Sequence, residues 1–125
     1  MSGELSDVHN PVIDISPTVD DGGISVRFAG TADVEAKSDL DDFMKKLHTE
    51  SLRLGVARVA LDFRELAFMN SSCFKIFVAW LAQIRDLSPD KQYRIQLYSN
   101  PNLLWQRRSL AALSCFASNL VTIEA

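Results

Sequence analysis

The sequence predicts an α/β fold: a mixed, mostly parallel sheet of about five strands in the order β-β-α-β-α-β-α-β, with three to four helices packed against it. Three observations predict it. Short runs of alternating, β-branched or aromatic residues recur near residues 12–18, 24–29, 58–63, 93–99 and 121–124. Between the later runs the apolar spacing widens to that of a helix, and the first two runs are joined by Asp20-Asp21-Gly22-Gly23, a tight-turn signal. Strands separated by helices need right-handed crossovers and so pair in parallel, whereas the opening hairpin adds antiparallel strands. At 125 residues, 47% of them hydrophobic, the chain is the size of one domain with one core. Residues 1–10 are polar and read as a flexible N-terminal arm, leaving 11–125 as a single domain.

The first strand, about Val12 to Thr18, carries Ile13 and Ile15 at alternate positions. Pro17 assigns it to an edge, because proline cannot donate to a ladder. The second, about Ile24 to Ala29, is broken by Gly30-Thr31-Ala32-Asp33. Ser38 offers a helix N-cap, with Asp41 three residues on approximating a capping box, and Gly55 ends that helix. Leu40, Phe43, Met44, Leu47 and Ser51 line one side of it. Asp41, Asp42, Lys45, Lys46 and His48 lie toward its edges and far side, so His48 reads as a surface residue.

The central segment runs from Arg58 to Ile84. Val59, Leu61 and Phe63 form a buried type of strand, and Leu66, Phe68 and Met69 carry its apolar character into a turn, Asn70-Ser71-Ser72-Cys73. Wound as a helix, the residues after it place Cys73, Ile76, Phe77, Trp80, Leu81, Ile84 and Leu87 on one face and Lys75, Ala79, Ala82 and Asp86 opposite. Two hydroxyls therefore stand at a helix start, where unpaired N–H groups and the dipole stabilise a phosphate. After a loop at Leu87 to Asp90, Tyr93 to Ser99 alternates as a strand. Asn100-Pro101 reads as the cap and first turn of a third helix, about Asn102 to Ala117, with a core stripe of Leu103, Leu110, Leu113 and Ala117. Trp105, Ala112 and Phe116 fall on a second stripe. Burial against the sheet explains that stripe; exposed, it would suit a partner or a homodimer mate. Arg107 and Arg108 read as a solvated flank, and Val121 to Glu124 as a last short strand.

A net charge of −3 and a pI near 5.3, with no basic stripe, argue against nucleic acid. The N-terminus lacks a signal-peptide pattern and no window nears the roughly 20 apolar residues of a membrane span. A cytoplasmic protein without membrane attachment is expected. The two cysteines, Cys73 and Cys115, lie in apolar helical segments and read as buried thiols rather than a disulfide. His and Cys are too few and scattered for a metal site, no cofactor is expected, and Gly22, Gly23 and Gly30 are too isolated for a phosphate loop. A helix start can activate the Cys73 thiol, but no base or orienting group accompanies it, so no catalytic residue and no enzyme are expected.

A strand of the form Val-Ala-Leu-Asp-Phe, a bridge ending in Phe-Met, then two hydroxyls opening an amphipathic helix, resembles the STAS domain of bacterial anti-sigma-factor antagonists. In that family the turn typically reads Asp-Ser-(Ser or Thr)-Gly. Gly30 to Asp33 is similar to the family's Gly-x-x-Asp, and the Pro101 helix occupies the place of its last helices. The resemblance implies a STAS-like fold and a regulatory protein that works by partner switching. The unmodified antagonist binds an anti-sigma factor that is also a serine kinase, phosphorylation breaks the complex, and a phosphatase reverses it. Position by position, Ser71 falls on the phosphorylated residue, Ser72 on the second hydroxyl, Asn70 on the acid and Cys73 on the glycine. The implied partner surface comprises Met69, Asn70, Ser71, Ser72, Cys73, Phe74, Lys75 and Val78, with Gly30, Thr31 and Asp33 beside them.

Two motif positions depart. Asn70 keeps the shape and capping oxygen of Asp without its charge, and Cys73 adds a side chain where the family has none. These departures motivate an alternative, a STAS-like assembly or scaffold module without phosphorylation. A small-ligand-binding variant is a third reading, and plain helix capping by Asn70, Ser71 and Ser72 is the simplest account of the turn.

Overall fold

The computed structural model describes residues 5–124. Its strands are β1 (Val8–His9), β2 (Ile13–Val19), β3 (Gly23–Ala32), β4 (Arg58–Met69), β5 (Arg94–Tyr98) and β6 (Val121–Glu124); its α-helices are α1 (Lys37–Leu54), α2 (Ser71–Arg85) and α3 (Leu104–Phe116). They form one sheet in the order β1-β2-β3-β4-β5-β6. Pairing is antiparallel up to β3 and parallel from β3 to β6. The mixed α/β architecture expected from the sequence is present, with six strands instead of about five.

The extra strand lies in the segment read as an arm. Val8 and His9 pair with Ile15 and Asp14. Residues 1–4 of that arm lie outside the described residues. Because β1 reaches only Asp14 and Ile15, Pro17 occupies the part of β2 with no outer neighbour, as its missing N–H requires.

Register places Ile24, Val26, Phe28, Val59, Leu61, Phe63, Ile95 and Leu97 on one face of the sheet, all buried with the apolar sides of the helices. Four rings join that face to the helices: Phe28 and Phe63 stack at 5.2 Å, Phe77 of α2 meets both edge-on, and Phe43 of α1 meets Phe28. The opposite face carries Ser16, Ser25, Arg27, Asp62, Gln96 and Thr122.

Several local expectations are corrected. Gly30 does not end β3; the strand shifts register there and continues to Ala32. Gly30 adopts a positive φ of 108°, and a Cβ on it would stand 2.3 Å from the Val12 carbonyl oxygen, so β2 and β3 can cross closely only at a glycine. Ser38 is not a cap. Asp33 instead caps a 3-10 turn, Val34–Ala36, that leads directly into α1, its carboxylate accepting from the Val34 N–H at 2.8 Å. Gly55 closes α1 in the left-handed conformation, as expected.

Two side chains are placed differently from their reading. His48 is half-buried, its Nδ1 2.7 Å from the hydroxyl of the buried Tyr93, which precedes β5 and lies against its ring. Cys115 is exposed, whereas Cys73 is buried, and both are free thiols. The third helix starts two residues late. Asn100 turns the chain with its own side chain, Oδ1 accepting from the Asn102 N–H at 2.9 Å, and Leu103 precedes α3 without a side-chain cap.

Candidate functional site

The turn between β4 and α2 is built by Asn70. Extended backbone at Asn70 lets its Oδ1 accept from the Cys73 N–H at 2.8 Å, the geometry of a helix N-cap. Its backbone N–H donates to the Ala32 carbonyl at 2.9 Å, fixing the turn beside the end of β3. Its Nδ2 donates to Asp33 Oδ1 at 3.1 Å. The charge that Asn70 lacks is thus supplied from the neighbouring loop, and one carboxylate holds both the 3-10 turn that leads into α1 and the cap residue of α2.

The parallel register of β3 and β4 sets Thr31 against Phe68 and Ala32 against Met69, so the Gly30–Asp33 and Asn70–Cys73 segments share one edge of the sheet. Ser71 is exposed there and Ser72 half-buried. Lys75 is exposed, while Phe74 and Val78 are half-buried. Cys73 is the exception: its side chain is buried, with Sγ 3.7 Å from the Asp33 carbonyl oxygen, and it contributes nothing to a surface. Burial, and then the nearby Asp33 charge, push its thiol pKa up, the opposite of an activated nucleophile. His9 bonds to Asp14 and His48 to Tyr93, so neither histidine serves the turn.

Beside Ser71 an open groove of about 400 Å³ runs between α2 and α3, lined by Met69, Asn70, Ser71, Phe74, Arg108, Ser109 and Ala112. Met69, nearly buried, contributes to its apolar lining. Around the same end, where the parallel strands finish, stand three exposed apolar side chains: Val34 (77% exposed), Phe68 (44%) and Leu104 (77%). Arg108 is therefore part of a groove wall rather than only a solvated flank.

What holds α3 against this edge is a residue that the pattern of apolar positions concealed. Gln106 is buried, its Nε2 donating to the Phe63 and Leu66 carbonyls at 2.5 and 3.2 Å and its Oε1 accepting from the Asn100 N–H at 2.8 Å. Trp105, half-buried, donates from Nε1 to the Leu66 carbonyl at 3.1 Å, which explains one of the two aromatic residues on the second stripe. The signal for Gln106 was present: it interrupts the stripe Leu103, Leu110, Leu113 at a position that must face inward. Phe116 on that stripe is half-buried beneath the Arg85 guanidinium, 4.3 Å from the ring centroid.

No family model matches the chain, and no curated protein matches it in sequence. Solved structures do match in shape. An anti-sigma factor antagonist from Mycobacterium paratuberculosis superposes with a TM-score of 0.60 at 16% identity, over 82% of this chain and 80% of that one. The anti-sigma factor antagonist SpoIIAA in its unphosphorylated form superposes with a TM-score of 0.61 at 14% identity, over 89% and 88%. The fold is STAS-like. In this fold the turn at Asn70 and the groove between α2 and α3 lie where the parallel strands end. Among the described residues no helix is long and apolar enough to cross a membrane, and no cluster of His, Cys, Asp and Glu is arranged to hold a metal ion.

Proposed function

We propose that this STAS-like domain is a regulatory protein that acts by binding another protein, in the manner of an anti-sigma factor antagonist, and that phosphorylation of Ser71 switches the binding. The observation that carries this reading is the position of Ser71: an exposed hydroxyl on the rim of an apolar groove, at an edge that also exposes Val34, Phe68 and Leu104. Exposed apolar side chains at the same end of the sheet suit a protein partner. A phosphate there would add about −1.5 to −2 charges at pH 7 and disrupt such an interface. In the modifying step the Ser71 Oγ forms a bond to the γ-phosphorus of a nucleoside triphosphate, the bond to the β-phosphate bridging oxygen breaks, the diphosphate leaves, and the hydroxyl proton passes to a base of the kinase. The partner is then an anti-sigma factor carrying serine-kinase activity, with a phosphatase to reverse the step.

Intact-mass analysis of the protein from its native cells, with peptide mapping, tests the switch. A fraction heavier by one phosphate at Ser71 is expected; a protein uniformly unmodified across growth conditions, whose partner binding is unchanged by Ser71→Glu, would refute it. The second reading, an assembly module without phosphorylation, is favoured by Asn70 and by the buried Cys73, which give the turn a purely structural account. It predicts a partner that tolerates Ser71→Glu.

A further inference from the structure

We propose that Arg108 of α3 is the receptor for a phosphate on Ser71, so that modification bridges the groove between α2 and α3. This deepens the reading of Ser71 as a modification site and rests on it. The two residues stand on opposite walls of one open groove, Ser71 at the start of α2 and Arg108 one turn into α3. Arg108 is exposed and, among the described residues, makes no hydrogen bond or ion pair, unlike Arg27, Arg58 and Arg64, which each hold a carboxylate, and Arg85, which holds the Phe116 carbonyl. A guanidinium presents a fork of donors that matches the oxygens of a phosphate, and recruiting a free one breaks no existing pair. The groove floor between the two is apolar, with Met69, Phe74 and Ala112, so a bridge across its mouth would cover the surface that a partner needs.

The unmodified groove offers a partner two things at once, an apolar floor and an unpaired cation. A partner segment with an acidic side chain next to an apolar one fits both. The phosphate on Ser71 then competes with that acid for the same guanidinium, so switching works by occupying the receptor within the chain as well as by repulsion. Lys75 is the rival cation. It is exposed and lies four residues along α2 from Ser71, close enough on a helix to meet the phosphate without any involvement of α3.

The test installs phosphoserine at position 71 during synthesis of the full chain, so that it does not depend on any kinase. Phosphorus NMR then follows the second ionisation of the phosphate, near pH 6 when unperturbed. A neighbouring cation favours the dianion, so the native chain should titrate below that value, and Arg108→Gln should raise the midpoint by about half a unit or more. Arg107→Gln, one residue along and outside the groove lining, should leave it unchanged. Amide exchange in the Ser109 to Ala112 turn should slow on phosphorylation in the native chain and not in Arg108→Gln. A midpoint insensitive to Arg108→Gln, or one moved wholly by Lys75→Gln, would overturn the proposal. Either result would leave open to its own test the reading of Ser71 as a site used in cells, which stands or falls on the mass of the native protein.

Discussion

Replacing Gln106 with Leu should destabilise the domain more than any surface role for that residue could explain. The substitution keeps the volume and removes three hydrogen bonds. The Leu66 carbonyl keeps the Trp105 Nε1–H as a donor, so its loss is small. The Asn100 N–H loses its acceptor and the Phe63 carbonyl its side-chain donor, both beneath α3. Each buried group left unsatisfied costs about 1–3 kcal/mol, which puts the loss at roughly 2–6 kcal/mol. For a domain of this size 1 kcal/mol moves the midpoint by about 3–5 °C, so thermal unfolding should come roughly 6–30 °C earlier. Guanidinium unfolding with an unchanged m-value measures the free energy directly. Gln106→Glu should be worse than Leu at neutral pH, because its carboxylate would face two carbonyl oxygens, and should recover in acid as it protonates. A loss for Gln106→Leu within about 0.5 kcal/mol, the range of an ordinary surface change, would refute the account of how α3 is anchored.

Asn70→Ala should cost about 0.5–2 kcal/mol by removing the cap of α2. Asn70→Asp restores the residue typical of the resembled family, yet here it brings a second carboxylate against Asp33, 3.1 Å away, in place of a donor; the variant should be less stable than the native chain at pH 7 and regain stability near pH 4, and equal stability at both pH values would show that the Asn70–Asp33 bond is unimportant. His48 gives a separate pH dependence. Burial lowers its pKa below the ordinary 6.5, so between its folded and unfolded values the unfolded chain binds more protons. Its contribution is therefore present above about pH 6.5 and is lost as pH falls through the folded value. Asp20 and Asp62, each held low chiefly by hydrogen bonds, from the Gly22 N–H and from Arg64 respectively, act in the same direction but in a more acid range. Thermal melts from pH 7.5 to 5 should show a decline that His48→Gln removes; a parallel decline in the variant would assign it elsewhere.

The order of elements was legible because each depends on patterns within one segment. Alternation at Val59, Leu61 and Phe63, helical spacing from Cys73 to Ile84 and the glycines of the first turn are local signals, and the structure follows them. Features that depend on distant partners were not legible. Val8 and His9 carry no strand pattern of their own and pair only because Asp14 and Ile15 are available beside them. Ser38 has the better local credentials as a cap, but Asp33 starts the turn because β3 runs past Gly30 and delivers it there. His48 looked exposed on its helix and is covered by Tyr93, 45 residues away. At the site, the Asn-Ser-Ser-Cys turn was legible from residue types alone, whereas the groove was not. Its far wall comes from α3, and no spacing in the chain brings Arg108 opposite Ser71.

The shared carboxylate of Asp33 has a practical consequence. Its Oδ1 holds both the adjoining Val34 amide and the side chain of Asn70, which lies 37 residues along the chain from Asp33. Any event that pulls Asn70 away leaves Val34 as the sole claimant, and the electron density felt by that amide proton changes with it. Val34 is also among the most exposed apolar residues of the chain. A single amide resonance, at the foot of one helix, thus becomes a native reporter on chemistry at the foot of another, readable without attaching any label to the surface under study.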